Sequence, residues 1–89
     1  MPTPVFIGRQ PAADTFLPDP STGKPPIVIE LAELEAFRLV DLEGLTQEEA
    51  GYRMGVSRGT IWRLLQEARR KAAQALAEGR RIQISKDYT

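Results

Sequence analysis

The chain has 89 residues, with twelve basic and twelve acidic side chains and a net charge of zero at pH 7. A chain of this length forms one domain near the lower limit for a self-sufficient core, so a partner subunit would help. Cysteine and histidine are both absent, which excludes disulfides, thiolate metal sites and the usual catalytic base. The apolar runs are too short to span a bilayer and the N-terminus is no signal peptide. We therefore expect a cytoplasmic protein without membrane, metal or cofactor partners.

The charges are distributed unevenly along the chain. From Glu30 to Glu49 there are seven acidic residues and one basic residue, whereas from Arg58 to Arg81 there are seven basic residues and two acidic ones. Because the local field matters more than the total charge, the basic half is compatible with nucleic acid.

The N-terminal segment is set apart by its prolines. All seven lie within residues 1–26, which therefore cannot form a helix of useful length. We expect a proline-rich arm over 1–26 and a domain over 27–89. Two alternatives stay open for the arm. It is either an unstructured tail, or an ordered segment in which residues 5–7 form an edge strand or docking arm and Phe16 and Leu17 insert into the body.

Two short strands are predicted at the ends of the second segment, over residues 27–29 and 82–84, because the first is β-branched throughout and the second alternates polar and apolar residues. Isolated short strands are unstable, so we expect these two to pair, within one chain or between two. A helix is predicted over 31–43, ended by Gly44. It is apolar on more than one side, which predicts burial against the arm or against another subunit.

A second helix is predicted over residues 47–54. Thr46 is its N-cap, and Glu49, three residues later, completes a capping box. Gly51 permits the close approach of a neighbouring helix. Gly55 follows directly and supplies the left-handed backbone that ends a helix.

A third helix is predicted over residues 57–78, ended by Gly79. Ser57 is its N-cap, with a hydroxyl that can accept from the backbone N–H of Gly59 or Thr60. Apolar residues recur at the helical period along the whole segment.

The spacing within residues 47–66 is that of a helix-turn-helix. Counted from Gln47, a small residue stands at position 5, glycine at 9, and apolar residues at 10, 15 and 18. The second helix of such a motif lies in the major groove of DNA. The outward residues that we predict to bind DNA are Ser57, Arg58, Gly59, Thr60, Trp62, Arg63, Gln66, Arg69 and Arg70. An ordinary helical hairpin in a small bundle is the alternative.

Individual roles follow from side-chain chemistry. Arg58 is the first candidate for bidentate contact with guanine O6 and N7, and Arg63 is the second. Arg69 and Arg70 lie one to two turns further on, where they either contact phosphates or form a solvated basic face. Trp62 either packs on a thymine methyl or sugar, or covers the preceding helix with its large apolar face.

A resemblance to a known family is carried by the run from Asp41 to Gly79, DLEGLTQEEAGYRMGVSRGTIWRLLQEARRKAAQALAEG. The run resembles a prokaryotic helix-turn-helix family, domain-of-unknown-function family 134, also called uncharacterised protein family 251. The similarity extends from Leu31 to about Ile84. It implies a mainly α, three-helix helix-turn-helix domain similar to region 4 of sigma factors, with a minor β element and predicted DNA contacts by Ser57, Arg58, Thr60, Trp62 and Arg63.

Two departures from the family pattern matter. Many members carry N-terminal cysteines and this chain has none, so metal or redox sensing through them is excluded. Gly51 stands where alanine is typical, at a cost of about 1 kcal/mol in helix stability. A sigma factor proper would also need a second promoter-binding region, for which this chain has no room.

These observations predict a sequence-specific DNA-binding protein, a transcriptional regulator on double-stranded DNA. A homodimer is expected because one recognition helix reads too few base pairs, with the strands and helix 31–43 as its seam. The alternative is a protein–protein interaction module whose acidic helix docks a basic partner. We expect no enzyme, because no nucleophile–base constellation is visible.

Overall fold

The computed structural model describes residues 4–86; residues 1–3 of the predicted arm and 87–89 of the predicted domain lie outside the described residues. The fold is mainly α with a small sheet, as predicted. In chain order the elements are β1 (Thr15–Phe16), β2 (Ile27–Glu30), α1 (Leu31–Phe37) continued by a π-helical segment (Arg38–Leu42), α2 (Gln47–Met54), α3 (Arg58–Glu78) and β3 (Ile82–Ser85).

The first helix differs from its prediction in its second half. The predicted 31–43 helix is α-helical only to Phe37 and then widens, so that the N–H of Glu43 donates to the carbonyl of Arg38, five residues back, at 2.9 Å. A π-helical turn holds one more residue than an α-helical turn, so it changes which side chains share a face. Gly44 follows in the left-handed region, with φ of 79°.

The other two helices begin and end where their capping residues predict. The Thr46 hydroxyl accepts the Glu49 N–H at 3.1 Å while the Glu49 carboxylate accepts the Thr46 N–H at 2.9 Å, which is the predicted capping box. Gly55, at φ of 71°, ends α2, and Gly79, at φ of 63°, ends α3. Each glycine has the left-handed backbone that other residues adopt only at a cost.

The sheet resolves how the two predicted strands pair. Its order is β1-β3-β2, and β2 pairs with β3 in parallel within the same chain, with Ile27 opposite Ile82 and Ile29 opposite Ile84. The two strands therefore do not need a second copy to complete them. Since helices α1–α3 connect them, the parallel arrangement follows the usual crossover connection.

The N-terminal segment contacts the body without forming the edge strand considered for residues 5–7. The Phe6 N–H donates to the Met54 carbonyl at 3.0 Å, at the end of α2, and the Gly8 N–H donates to the Glu35 carboxylate at 2.7 Å. Val5 packs against the helices and Ile7 against the sheet side of the core.

The insertion of Phe16 and Leu17 into the body, which is one of the two alternatives for the arm, is not found. Phe16 instead belongs to β1, which pairs antiparallel with β3 at the edge of the sheet, and both side chains are mostly exposed. The ladder hydrogen bonds of a two-residue strand hold its backbone, but they do not bury its side chains.

The core has two parts on opposite sides of α1. One lies between the helices and the other between α1 and the sheet. The first contains Ala36, Leu39, Ala50, Met54 and Ile61, and the second contains Ile29, Leu31 and Ile84. Burial of α1 on two sides agrees with its apolar pattern, and both core parts form within one chain, while Leu34 and Phe37 stay only partly buried.

The buried carboxylate of Glu35 connects the N-terminal segment to α1. Arg38 donates two hydrogen bonds of 2.9 Å to the Glu35 carboxylate, which also accepts the Gly8 N–H. Burial of Glu35 raises its pKa, but the hydrogen bonds from Arg38 and Gly8 outweigh this effect, so the pKa lies below its usual range. The folded state therefore favours the charged carboxylate.

This depressed pKa predicts how stability depends on pH. Its contribution is present above the pKa of the unfolded chain and is lost as the pH falls through the pKa of the folded state. We expect Glu35→Gln to lower the free energy of unfolding by about 2 kcal/mol at neutral pH, the scale of hydrogen bonds to a charged group. The difference from wild type should shrink in acid, measured by urea unfolding across the pH range. Parallel curves for the two proteins would contradict this account.

Candidate nucleic-acid interface

The start of α3 is held by its N-cap. The Ser57 hydroxyl accepts the N–H of Thr60 at 3.1 Å, which selects Thr60 over Gly59 as the capped residue. The two hydroxyls of Ser57 and Thr60 also lie 3.0 Å apart, within hydrogen-bond distance. The cap therefore orients the first turn of α3, where Arg58 lies.

The turn between α2 and α3 is tight, as the spacing predicts. The Val56 N–H donates to the Gly51 carbonyl at 3.0 Å. A Cβ on Gly51 would lie only 2.8 Å from the Val56 carbonyl oxygen, so this position has no room for a side chain unless the backbone shifts. The absence of a side chain at Gly51 thus sets how closely α2 and the turn pack.

The buried residues of α3 define its outward face. They are Ile61, Leu65, Ala68 and Ala75, which recur at helical spacing. The structure therefore brings the predicted DNA-binding residues onto one side of the helix. Thr60 is half-buried, and the other eight are exposed: Ser57, Arg58, Gly59, Trp62, Arg63, Gln66, Arg69 and Arg70.

The basic residues on this face fall into two groups. Within residues 4–86, Arg58 and Arg63 have no ion pair, so their guanidinium groups are available to a ligand. Arg69 and Arg70, in contrast, are each bound bidentately by a carboxylate. Arg69 contacts Asp41 at 2.7 and 2.9 Å, and Arg70 contacts Glu67 at 2.9 and 3.2 Å.

The Arg69–Asp41 pair connects α3 to the π-helical segment, 28 positions earlier in the chain. The hydrogen bond from Arg69 lowers the pKa of Asp41. Sequence reasoning considered phosphate contact or a solvated face for Arg69, but not this bond between helices. Lys71 forms a similar bond between helices, since its ammonium lies 2.7 Å from the buried carboxylate of Glu33.

The aromatic residues add an apolar component. Trp62 is 54% exposed, so its ring is partly covered by the protein and partly presented on the outward face. Sequence reasoning missed Tyr52, which is 91% exposed on α2, and its exposed neighbour Arg53. Tyr52 lies opposite the buried residues Ala50 and Met54, a signal that the helical period of α2 already contains.

Neither a metal-binding cluster nor a membrane-spanning helix is found within residues 4–86. In this part of the chain no three His, Cys, Asp or Glu side chains are grouped so that they could hold a metal ion. None of the helices described is both long and apolar enough to cross a membrane.

The fold and this face define a small, mainly helical domain whose longest helix presents unpaired arginines near its N-terminus. The chain belongs to the family described as protein of unknown function DUF134, whose model matches residues 3–88. This confirms the family resemblance. No solved structure matches the chain.

Relatives named UPF0251 proteins support the same assignment. One from Archaeoglobus fulgidus is 49% identical over 82 residues, which is 92% of this chain and 78% of the relative. One from Pyrococcus abyssi is 62% identical over 82 residues, covering 89% of this chain and 74% of the relative. One from Pyrococcus horikoshii is 64% identical over 67 residues, 73% of this chain but 61% of the relative. Some relatives are thus considerably longer than the region matched.

The N-cap yields a prediction about the stability of the folded chain. Ser57→Ala removes the acceptor for the Thr60 N–H and should cost about 1 kcal/mol in the free energy of unfolding. Ser57→Asp keeps an acceptor and places a negative charge at a helix N-terminus, so its stability should stay close to that of wild type. Thermal and urea unfolding measure both variants. Equal destabilisation by alanine and aspartate would mean that the hydroxyl does not act as a cap.

Proposed function

We propose that the protein is a sequence-specific double-stranded DNA-binding regulator in which α2, the turn and α3 form a helix-turn-helix. The observation that carries this proposal is the pair of unpaired arginines, Arg58 and Arg63, on the outward face at the capped end of α3. An unpaired guanidinium costs little to bring to a phosphate or a base, because no ion pair has to break first.

In this proposal α3 enters the major groove by its N-terminal part. The helix has 21 residues and is therefore about 32 Å long, so only its first turns fit into a groove about 12 Å wide. Arg58 is the proposed guanine reader and Arg63 the second. Trp62 and Gln66 lie on the same side, and the buried apolar side keeps this face turned outward.

The paired arginines have a different proposed role. Arg70 can exchange its exposed Glu67 partner for a phosphate at small cost, because exposed ion pairs contribute little. Arg69 holds α3 to the π-helical segment through Asp41 and thereby sets the angle at which α3 is presented. We assign Arg69 a positioning role and leave base reading to Arg58 and Arg63.

The proposed regulator acts in the cytoplasm, without a cofactor, and as a homodimer. One recognition helix reads only a few base pairs, which is too little for selection within a genome. The pairing of β2 with β3 inside one chain removes strand completion as a reason to dimerise. The remaining reason to dimerise is that a single recognition helix reads too few base pairs.

The alternative is a protein-interaction module that docks a basic partner on an acidic α1. Two acidic residues of that helix, Glu33 and Glu35, are buried and already paired with Lys71 and Arg38. This leaves less free negative charge on α1 than the sequence indicates, and it favours the DNA proposal.

Salt dependence of binding separates these two functions. Fluorescence anisotropy with a labelled mixed-sequence duplex should give an affinity that falls steeply as salt rises, because bound phosphates release counterions. An interaction module should give no duplex binding at any salt concentration.

For Arg58→Ala we expect a loss of about 1–3 kcal/mol in specific binding and a relaxed preference at one base pair. Arg70→Ala should weaken binding to all duplexes alike and flatten the salt slope. Arg81→Ala is the matched control, since Arg81 is also exposed but lies beyond the opposite end of α3. An unchanged base preference in Arg58→Ala would remove Arg58 as a reader of bases.

A further inference from the structure

An apolar groove runs between α1 with its π-helical continuation and the segment over residues 9–16. Its volume is about 600 Å³. The floor includes Leu31 and Ile84, which are buried, and Leu34 and Phe37 line the α1 wall. None of the residues proposed to bind DNA lines this groove.

Two exposed apolar side chains stand on the rim of the groove. Leu42 is 71% exposed on the α1 wall and Phe16 is 57% exposed on the opposite wall. A small molecule inside the groove would leave both of these side chains in water. A broad protein surface would cover the floor and the rim together, so the occupant that gains most from this shape is a macromolecule.

We propose that the occupant is a second copy of this chain, with α1 lying against α1 of the partner about a two-fold axis. A two-fold interface uses the same patch on both copies, so a patch that carries both a projection and a recess can complement itself. This patch has both, since Leu42 projects beside a groove lined by Leu34 and Phe37. Leu42 of each copy would enter the groove of the other.

The charges around the groove complement each other under the same symmetry. Arg9 lines the groove and contributes by its charge to the lowered pKa of Glu35, but it forms no ion pair with any residue in 4–86. Glu43 directly follows Leu42, is about half exposed, and has only a long contact of 3.4 Å to Arg38. In an antiparallel arrangement of the two α1 helices, Arg9 of one copy would face Glu43 of the other. The two-fold axis gives two such pairs.

This inference rests on the proposed function for its purpose, because two copies supply two recognition helices. The groove is formed by α1, residues 9–16 and the end of β3, and none of the unpaired arginines of α3 lines it. A dimer formed here leaves Arg58 and Arg63 uncovered. The dimer and its test do not require DNA, so either proposal can fail without the other.

The test is sedimentation equilibrium of the full chain over a micromolar concentration range, in the absence of DNA. Wild type should give a dimer mass, and Leu42→Glu should raise the dissociation constant at least about tenfold. Leu76→Glu is the matched control. Leu76 is 82% exposed near the end of α3 and lies outside the groove, so its substitution should leave the mass unchanged. Circular dichroism checks that each variant keeps its helices.

A charge exchange tests the orientation of the two copies. Arg9→Glu and Glu43→Arg should each weaken the dimer, and the double variant should restore it, because the carboxylate introduced at position 9 would again face an opposite charge at position 43 of the partner. A monomer mass for wild type at all concentrations would overturn the proposal, as would a dimer that Leu76→Glu dissociates and Leu42→Glu does not. Independent, additive losses in the double variant would overturn the antiparallel arrangement.

Discussion

The packing of Ile61 against α1 and α2 is the constraint on which the rest of the structure depends. Its side chain is fully buried together with Leu39 and Met54, and it lies one turn after the Ser57 cap. Side-chain direction repeats about every 3.6 residues along a helix, so the burial of Ile61 and Leu65 decides which residues of α3 face outward. The candidate DNA face is therefore a consequence of core packing, and Arg58 and Arg63 need no partner of their own to hold the helix in place.

Local chemistry explains why much of this fold is predictable from sequence. The capping box of Thr46 and the cap of Ser57 each depend on residues within three positions, and Gly55 and Gly79 end their helices through their own backbone freedom. The apolar period of α3 likewise identifies its buried side without knowledge of what covers it. The exposed residues of α3 could therefore be predicted from these features.

The features that the sequence did not predict depend on distant residues. Nothing near Arg69 indicates that Asp41, 28 positions away, binds it, and nothing near Gly8 indicates the carboxylate of Glu35. The π-helical segment and the two-residue strand β1 have no propensity signal of their own, because packing and pairing with other elements decide both. For the same reason the sequence did not predict that Glu33 and Glu35 of α1 are buried and paired with basic residues.

The central claim is that α3 reads duplex sequence, and selection of bound duplexes from a random pool tests it most directly. This account predicts enrichment of a short guanine-containing half-site, and a two-fold repeat of it with fixed spacing if two copies bind together. The spacing would report the distance between the two recognition helices in such a complex. A pool that stays random after repeated rounds at moderate salt would contradict the account.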